Sequence, residues 1–522
     1  MKLKTGILFF VALFAVQFVS AQQWQLVGPR AMGMGGAGVA TSYGPDAQYW
    51  NPAGLASEDE RNEAGFLINA GATLETTDKV LESVDRLSDM SHRYNDLKNT
   101  INSGGIPSAD NISTLFEGLN EISKLIGNNM GVLANGDAGL GFKFKNFAFS
   151  SRALGTGAVR PVIDTQNIQF YTGSTTFVPD NPTTPSNATN ASTAVILANA
   201  IDANNLLAGL NSLLNTSYAN SSQLANALIN AAASYSISPD KIAQAINTAI
   251  ENMPGASEII QLYGSSSGSY KDNKTLAMGD VAAFGEAALG YGTRIAKGVK
   301  IGGNVKIISG YLAETGVMLL SDHDDFSDII DKAKDNKKNT NTWAVDLGAL
   351  VNLSELTGKN IWWNPQFGVT ARNINGPKFD RPDAPAGIDA AVLAQWNTDK
   401  YQLKPQVRAG ASFNPFNWMT LATDIDVTEN DTLLDGIKSR QLALGLEINL
   451  VNGRKFNMPL RLGYNKNLAE SSLCPFYTAG IGFNMLHFFV ELAGAVSTKT
   501  SKVDGRTIPN SAAASLTLGF LF

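Results

Sequence analysis

After residue 21 the chain contains no apolar run near the roughly 18 residues a membrane helix needs, yet apolar residues recur at every second position in segment after segment. Val299, Ile301, Val305, Ile307 and Tyr311 alternate with Lys300, Gly302, Asn304 and Lys306. Leu442, Leu444, Leu446 and Ile448 alternate with Ala443, Gly445, Glu447 and Asn449. Leu516, Leu518, Phe520 and Phe522 alternate with Ser515, Thr517 and Gly519. Period two is the signature of a strand with one apolar face. A helical membrane protein is thereby excluded, and a β architecture is predicted.

The segments number about fourteen, near 63–75, 138–145, 147–154, 282–294, 299–312, 342–353, 363–372, 404–413, 417–428, 439–450, 457–466, 475–485, 487–497 and 512–522. Tight links at Lys145-Asn146, Ala296-Lys297-Gly298, Asn414-Pro415-Phe416 and Met485-Leu486, with short ones near 354–362 and 451–456, alternate with long connectors. The long ones are 76–137, 155–281, 313–341, 373–403, 429–438, 467–474 and 498–511. Transmembrane β-barrels have short periplasmic turns, longer external loops and an even strand number. The predicted fold is therefore all-β, a transmembrane antiparallel barrel of about 14 strands over 58–522. Helix-like stretches fall in the insertions at 76–137 and 155–281, at 79–101 and 193–262, and shorter ones at 324–335 and 386–397. The spacing of Ile196, Leu206, Leu207, Leu210, Leu213 and Leu214 fits a packed helical cap that buries its own stripe, and Ser238-Pro239-Asp240 reads as a helix start.

Charge placement agrees. Arg294, Lys300, Asp346, Arg408, Asp424, Asp426, Glu447, Arg461 and Glu491 fall opposite the apolar face, which makes them the predicted lumen face. Lys or Arg facing lipid at the midplane would cost about 2–4 kcal/mol. A soluble β-sandwich with polar outer faces does not predict the loop alternation. Asp424 and Asp426 share one face, and a charge ladder with Arg408 and Arg461 on flanking strands explains them better than a cation site or an acid pair.

Residues 1–21 read as a secretory signal: Lys2 and Lys4, an apolar stretch from Ile7 to Val19, and Val19-Ser20-Ala21 before the cleavage point. Sec-type export and the bacterial outer membrane are the expected destination. Formal charge is −6, with no basic block, so nucleic acid is not an expected partner. One cysteine, Cys474, and three scattered histidines, His92, His323 and His487, supply neither a disulfide framework nor a metal set. Ser321-Asp322-His323-Asp324-Asp325 reads as solvated loop charge. No catalytic constellation is found, so no enzyme activity, cofactor or metal is predicted.

The segment 22–57 stands apart from the strands. Gly28-Pro29-Arg30-Ala31-Met32-Gly33-Met34-Gly35-Gly36-Ala37-Gly38 leads into Tyr49-Trp50-Asn51-Pro52-Ala53-Gly54. No strand precedes these glycines and no Gly-Lys-Ser/Thr follows, so neither a dinucleotide loop nor a P-loop is present. The string resembles the N-terminal plug of FadL-type hydrophobic-compound channels, where an Asn-Pro-Ala motif ends a hatch inside a 14-stranded barrel. The resemblance places Asn51, Pro52, Ala53 and Gly54 in that motif. Within that superfamily the chain looks most like the conjugative-transfer TraF-type barrels, through Leu421–Asn430, Leu442–Glu447 and Leu460–Asn467. It implies passage of small hydrophobic compounds across the outer membrane, or alternatively a non-transporting partner of secretion or conjugation proteins. Phe520 and Phe522 resemble the C-terminal signal read by barrel-assembly machinery. Outer-membrane lipid and a small hydrophobic ligand are the remaining expected partners.

Overall fold

The computed structural model describes residues 23–56, 63–77, 80–83, 85–86, 130–167, 182–203, 205–213, 216–234, 268, 274–318, 336–384, 396, 399–453 and 455–522. The signal segment to residue 22, His92, Ser321–Asp325, residues 87–101 and 235–262 of the expected helices, 324–335, and 386–397 apart from Trp396 lie outside them.

Fourteen strands close into one antiparallel barrel. They are β1 (Ala64–Thr76), β2 (Val132–Phe144), β3 (Phe147–Val162), β4 (Leu276–Ala296), β5 (Val299–Met318), β6 (Lys337–Asn352) and β7 (Gln366–Arg372). Then follow β8 (Gln406–Phe416), β9 (Met419–Asp426), β10 (Gln441–Asn452), β11 (Phe456–Asn467), β12 (Phe476–Met485), β13 (Phe488–Ser497) and β14 (Ser511–Leu521). Each pairs with its sequence neighbour, and β1 pairs with β14 to close the ring, Phe66 opposite Phe520. The seam is sealed to its end: Phe522 N–H donates to Ala64 O at 2.7 Å and Ala64 N–H to Phe522 O at 3.0 Å. All six short links lie at the end of the barrel that carries both of its chain ends.

Every strand alternates as the period predicts. Ile68, Phe142, Phe149, Leu289, Val305, Ile307, Leu462 and Leu518 are exposed on the outside, and their sequence neighbours turn inward. An exposed apolar belt of this extent on a closed barrel is a lipid-facing surface.

Five strands run further toward the long-loop end than their period showed. β2 begins at Val132, β3 reaches Val162, β4 starts at Leu276, β5 ends at Met318 and β6 starts at Lys337. In these extensions the inner face is mixed, with Leu133, Ala158 and Met278 buried beside Asn135, Thr156, Asp280 and Glu314, so the contrast between a polar inside and an apolar outside is blurred. The insertions shrink accordingly to 77–131 and 163–275.

In the second insertion three helices, α3 (Ala188–Ala203), α4 (Leu207–Leu213) and α5 (Ser221–Ser234), pack on one another. Leu197, Ile201, Leu206, Leu210, Leu224 and Leu228 form their core. Ile196, expected in the buried stripe, points out at 55% exposure, and Leu197 takes its place.

Candidate functional site

The lumen is filled from the short-link end by residues 23–56. These form two short helices, α1 (Pro29–Gly33) and α2 (Ala47–Trp50), and a 3-10 turn, Pro52–Ala56. Proline at the start of α1 costs no hydrogen bond there. Trp24, Val27, Ala31, Tyr49 and Trp50 pack together against Leu154 of β3.

Asn51 is the clip of this segment. Its Nδ2 donates to Val39 O at 3.1 Å and to Ala349 O of β6 at 3.0 Å. Its Oδ1 accepts the Ala53 N–H at 3.1 Å, and Gly54 N–H donates to Asn51 O at 2.9 Å. Pro52 lies flat on the wall, where a Cβ on Gly302 of β5 would come within 2.3 Å of its carbonyl. Gly35 makes the opposite contact. Its φ is +69°, and a Cβ there would stand 2.4 Å from Tyr464 O of β11, so only glycine fits. Asp424 of β9 accepts the Gly38 and Val39 N–H groups at 2.8 Å each.

A belt of buried charge surrounds the segment. Arg408 pairs with Asp426 at 2.6 Å and donates to Gln441 at 3.1 Å. Lys306 reaches Glu286 at 3.4 Å and Asp346 at 3.2 Å, and Arg372 lies 3.9 Å from Glu286. The buried Trp24 ring has Arg408 and Arg372 guanidinium carbons 4.7 and 5.2 Å from its centroid, an arrangement that cation–π attraction favours. Nearer the short links, Arg461 pairs with Glu447 and Glu491 at 2.7 Å each, and Arg30 joins Glu447 at 3.2 Å.

The structure thus gathers seven of the nine predicted lumen residues into three ion-pair groups around segment 23–56 and one direct contact with it. Arg294 and Lys300 stand apart: they share the inward parity and face each other in register, but lie at the rim, exposed and half-buried. One expectation is corrected. Arg461 does not flank Asp424; it sits on β11, two strands from β9, and answers Glu447 and Glu491 instead. The partner of Asp426 is Arg408, and Asp424 is held by backbone N–H groups. Arg30 and Arg372 were not among the residues read as facing the lumen, whereas Lys306 stands on the polar face of its alternating segment. Arg30 carried a signal, since it is the sole charge between Gln23 and Asp46.

The long-loop end holds a layer absent from the sequence reading. Among the described residues, three connectors carry two-stranded hairpins, at 378–379/401–402, 430–431/438–439 and 500–503/506–509. The first two belong to loops that fold inward as a lid. Phe379, Tyr401, Leu403, Leu433, Leu434 and Ile437 pack on Leu133, Phe284, Ile308 and Leu312 of the wall. Phe379 is fully buried with its ring 4.5 Å from that of Phe284, over Gly310, where a Cβ would come within 2.3 Å of it. Asp431 ties the two lid loops, pairing with Lys404 at 2.5 Å and with Lys438. Burial pushes its carboxyl up, but the two ammonium groups outweigh that and hold it below the ordinary carboxylate value. At the short-link end a cavity of about 660 Å³ remains, lined by Arg30, Tyr43, Asn449, Phe456, Asn484 and Phe489 among others.

Phe520 and Phe522 both point outward at the seam, Phe520 5.3 Å from Phe488 and Phe522 stacked 4.8 Å from His487.

Among solved structures, the chain is similar to the toluene transporter TodX of Pseudomonas putida, with 9% identity and a TM-score of 0.37 over 97% of this chain and 98% of that one. A Pseudomonas aeruginosa FadL homologue gives the same identity and score over 97% and 99%. No curated protein matches significantly. The family model described as the F plasmid transfer operon TraF protein matches residues 48–426. That span includes the 155–281 insertion and stops before Leu442–Glu447 and Leu460–Asn467. With more than half of its length matched, the chain belongs to this TraF family, built as a closed 14-stranded barrel.

Proposed function

We propose that this protein is a gated outer-membrane channel for small hydrophobic compounds, exported by a Sec-type signal and oriented with its short links in the periplasm. The observation that carries the reading is the apolar layer inside the long-loop half of the lumen. A barrel wall that turns Leu133, Phe284, Ile308 and Leu312 inward offers an apolar compound a site, and the lid fills that site with Phe379 and Leu434. An empty apolar chamber open to water would be unfavourable, so a resting channel of this kind fills it with its own side chains. Below it, segment 23–56 acts as the plug, clipped at Asn51. Such a channel needs no catalytic group. The test is uptake of a small aromatic hydrocarbon into vesicles containing the protein, compared with empty vesicles and with the Asn51→Ala variant. The reading expects faster uptake with protein and a further change on loosening the plug. Equal uptake in all three would sink it.

A second reading is favoured by the family match: a non-transporting partner of conjugation or secretion proteins, docking through its long-loop insertions. The self-contained core of α3–α5 gives such a surface. Pull-down with and without residues 182–234 separates the two, since loss of a partner on deletion supports docking and an unchanged partner set rejects it.

A further inference from the structure

Two neighbouring short links are built as one platform. The β4–β5 turn, Lys297-Gly298, rests on link 353–365: a Cβ on Gly298 would stand 2.5 Å from Leu356 N, and Asn352 N–H donates to Gly298 O at 2.8 Å. The link is closed on itself by Glu355 N–H donating to Asn352 Oδ1 at 3.0 Å and Leu353 N–H donating to Pro365 O at 3.0 Å. Trp363 and Asn364 take φ of 70° and 42°, the left-handed region, which a tryptophan adopts rarely. That strained turn is held by Asn414 N–H donating to Trp363 O at 2.6 Å. It leaves Trp362 79% exposed, its ring 4.7 Å from that of Trp363. Around the wall, Phe416 and Trp418 of the β8–β9 turn stack at 5.1 Å, also exposed, at the same boundary.

The platform is also basic. It carries Lys297 and Lys359 against Glu355. Lys297 Nζ lies above Gly358, 3.8 Å from where a Cβ would stand, beside Lys359. Among the described residues, no carboxylate comes within ion-pair distance of Lys297, Lys300 or Lys359.

We propose that this platform binds the phosphate headgroup of an anionic phospholipid in the leaflet at the short-link side. Tryptophan rings settle at headgroup level with their apolar bodies toward the acyl chains, and nearby ammonium groups meet the phosphate. A water-facing protein surface explains the lysines but not a bare tryptophan pair continuous with the outer aromatic belt. The assignment to the periplasmic leaflet rests on the orientation proposed above; the binding itself does not, and its test measures no transport.

The test is native mass spectrometry of the full-length barrel in detergent, offered phosphatidylglycerol and phosphatidylcholine of identical acyl chains. Retention of phosphatidylglycerol severalfold above phosphatidylcholine is expected. Lys297→Gln with Lys359→Gln should bring the ratio to about one while leaving folding intact, because both side chains are exposed. Trp362→Ala should reduce retention of both lipids. Equal retention by the wild type, or an unchanged preference in the double variant, would overturn the proposal. So would competition by soluble glycerol phosphate at equal concentration, which marks a free-phosphate site. Binding of polyglutamate without any lipid preference would overturn it too, in favour of an acidic protein partner.

Discussion

Arg461 sums up the residue scale. It is buried, and among the described residues its charge is answered by Glu447 and Glu491, with Arg30 completing the group. Removing one partner of such a set strands the others in a low-dielectric interior, at a cost of about 3–5 kcal/mol. Arg461→Ala is therefore expected to lower barrel stability by that amount in urea unfolding from lipid vesicles. A double change, Arg461→Met with Glu491→Gln, which keeps Glu447 paired with Arg30, should recover most of it. Little loss in the single variant would mean that water enters the cluster. The inward side of these residues was legible, because parity in a strand follows from period two alone. Their partners were not. Glu491 stands two strands from Arg461 and reaches it past Gly480 and Gly482 of β12, where no side chain intervenes. Parity says nothing about such a reach. The Asn51-Pro52-Ala53 motif was legible as a string, but its contacts to Ala349 and Gly302 depend on the closed wall.

At the scale of elements, the strand order and the loop alternation were legible and the lid was not. Two-residue hairpins such as 378–379/401–402 are too short to leave a period, and Phe379 gains its place only from Gly310 opposite. The lid carries a pH dependence with a definite sign. Because the Asp431 carboxyl is held below its ordinary value, its tie between the loops is fully present above about pH 4. The tie is lost as pH falls through the depressed value. Hydrogen exchange of residues 427–440, corrected for intrinsic rate, should show protection falling in strongly acid solution. Asp431→Asn should have weaker protection at neutral pH and no such acid step. A variant that keeps the step would assign it to another group.

For the whole molecule, closure of the β1–β14 seam is the condition on which everything inside depends. Phe522 pairs with Ala64 through both backbone groups and stacks on His487, so it finishes the seam as well as resembling an assembly signal. Deleting it should lower the amount of heat-modifiable, folded barrel in the membrane fraction severalfold; normal levels would count against both roles. On the function proposed above, barrel, plug and lid form a channel closed at two levels, with the apolar layer of Leu133, Phe284, Ile308 and Leu312 filled by the lid loops. The most direct measurement of that claim is solute flux with the lid locked. A Cβ at Gly310 of β5 would stand 2.3 Å from a δ carbon of Phe379, so Gly310→Cys with Phe379→Cys, in a Cys474→Ser background, can tie lid to wall. Vesicles carrying the oxidised pair should take up a small aromatic hydrocarbon no faster than empty ones, and reduction should restore wild-type uptake. Uptake by the oxidised pair equal to that of the reduced pair would contradict the account.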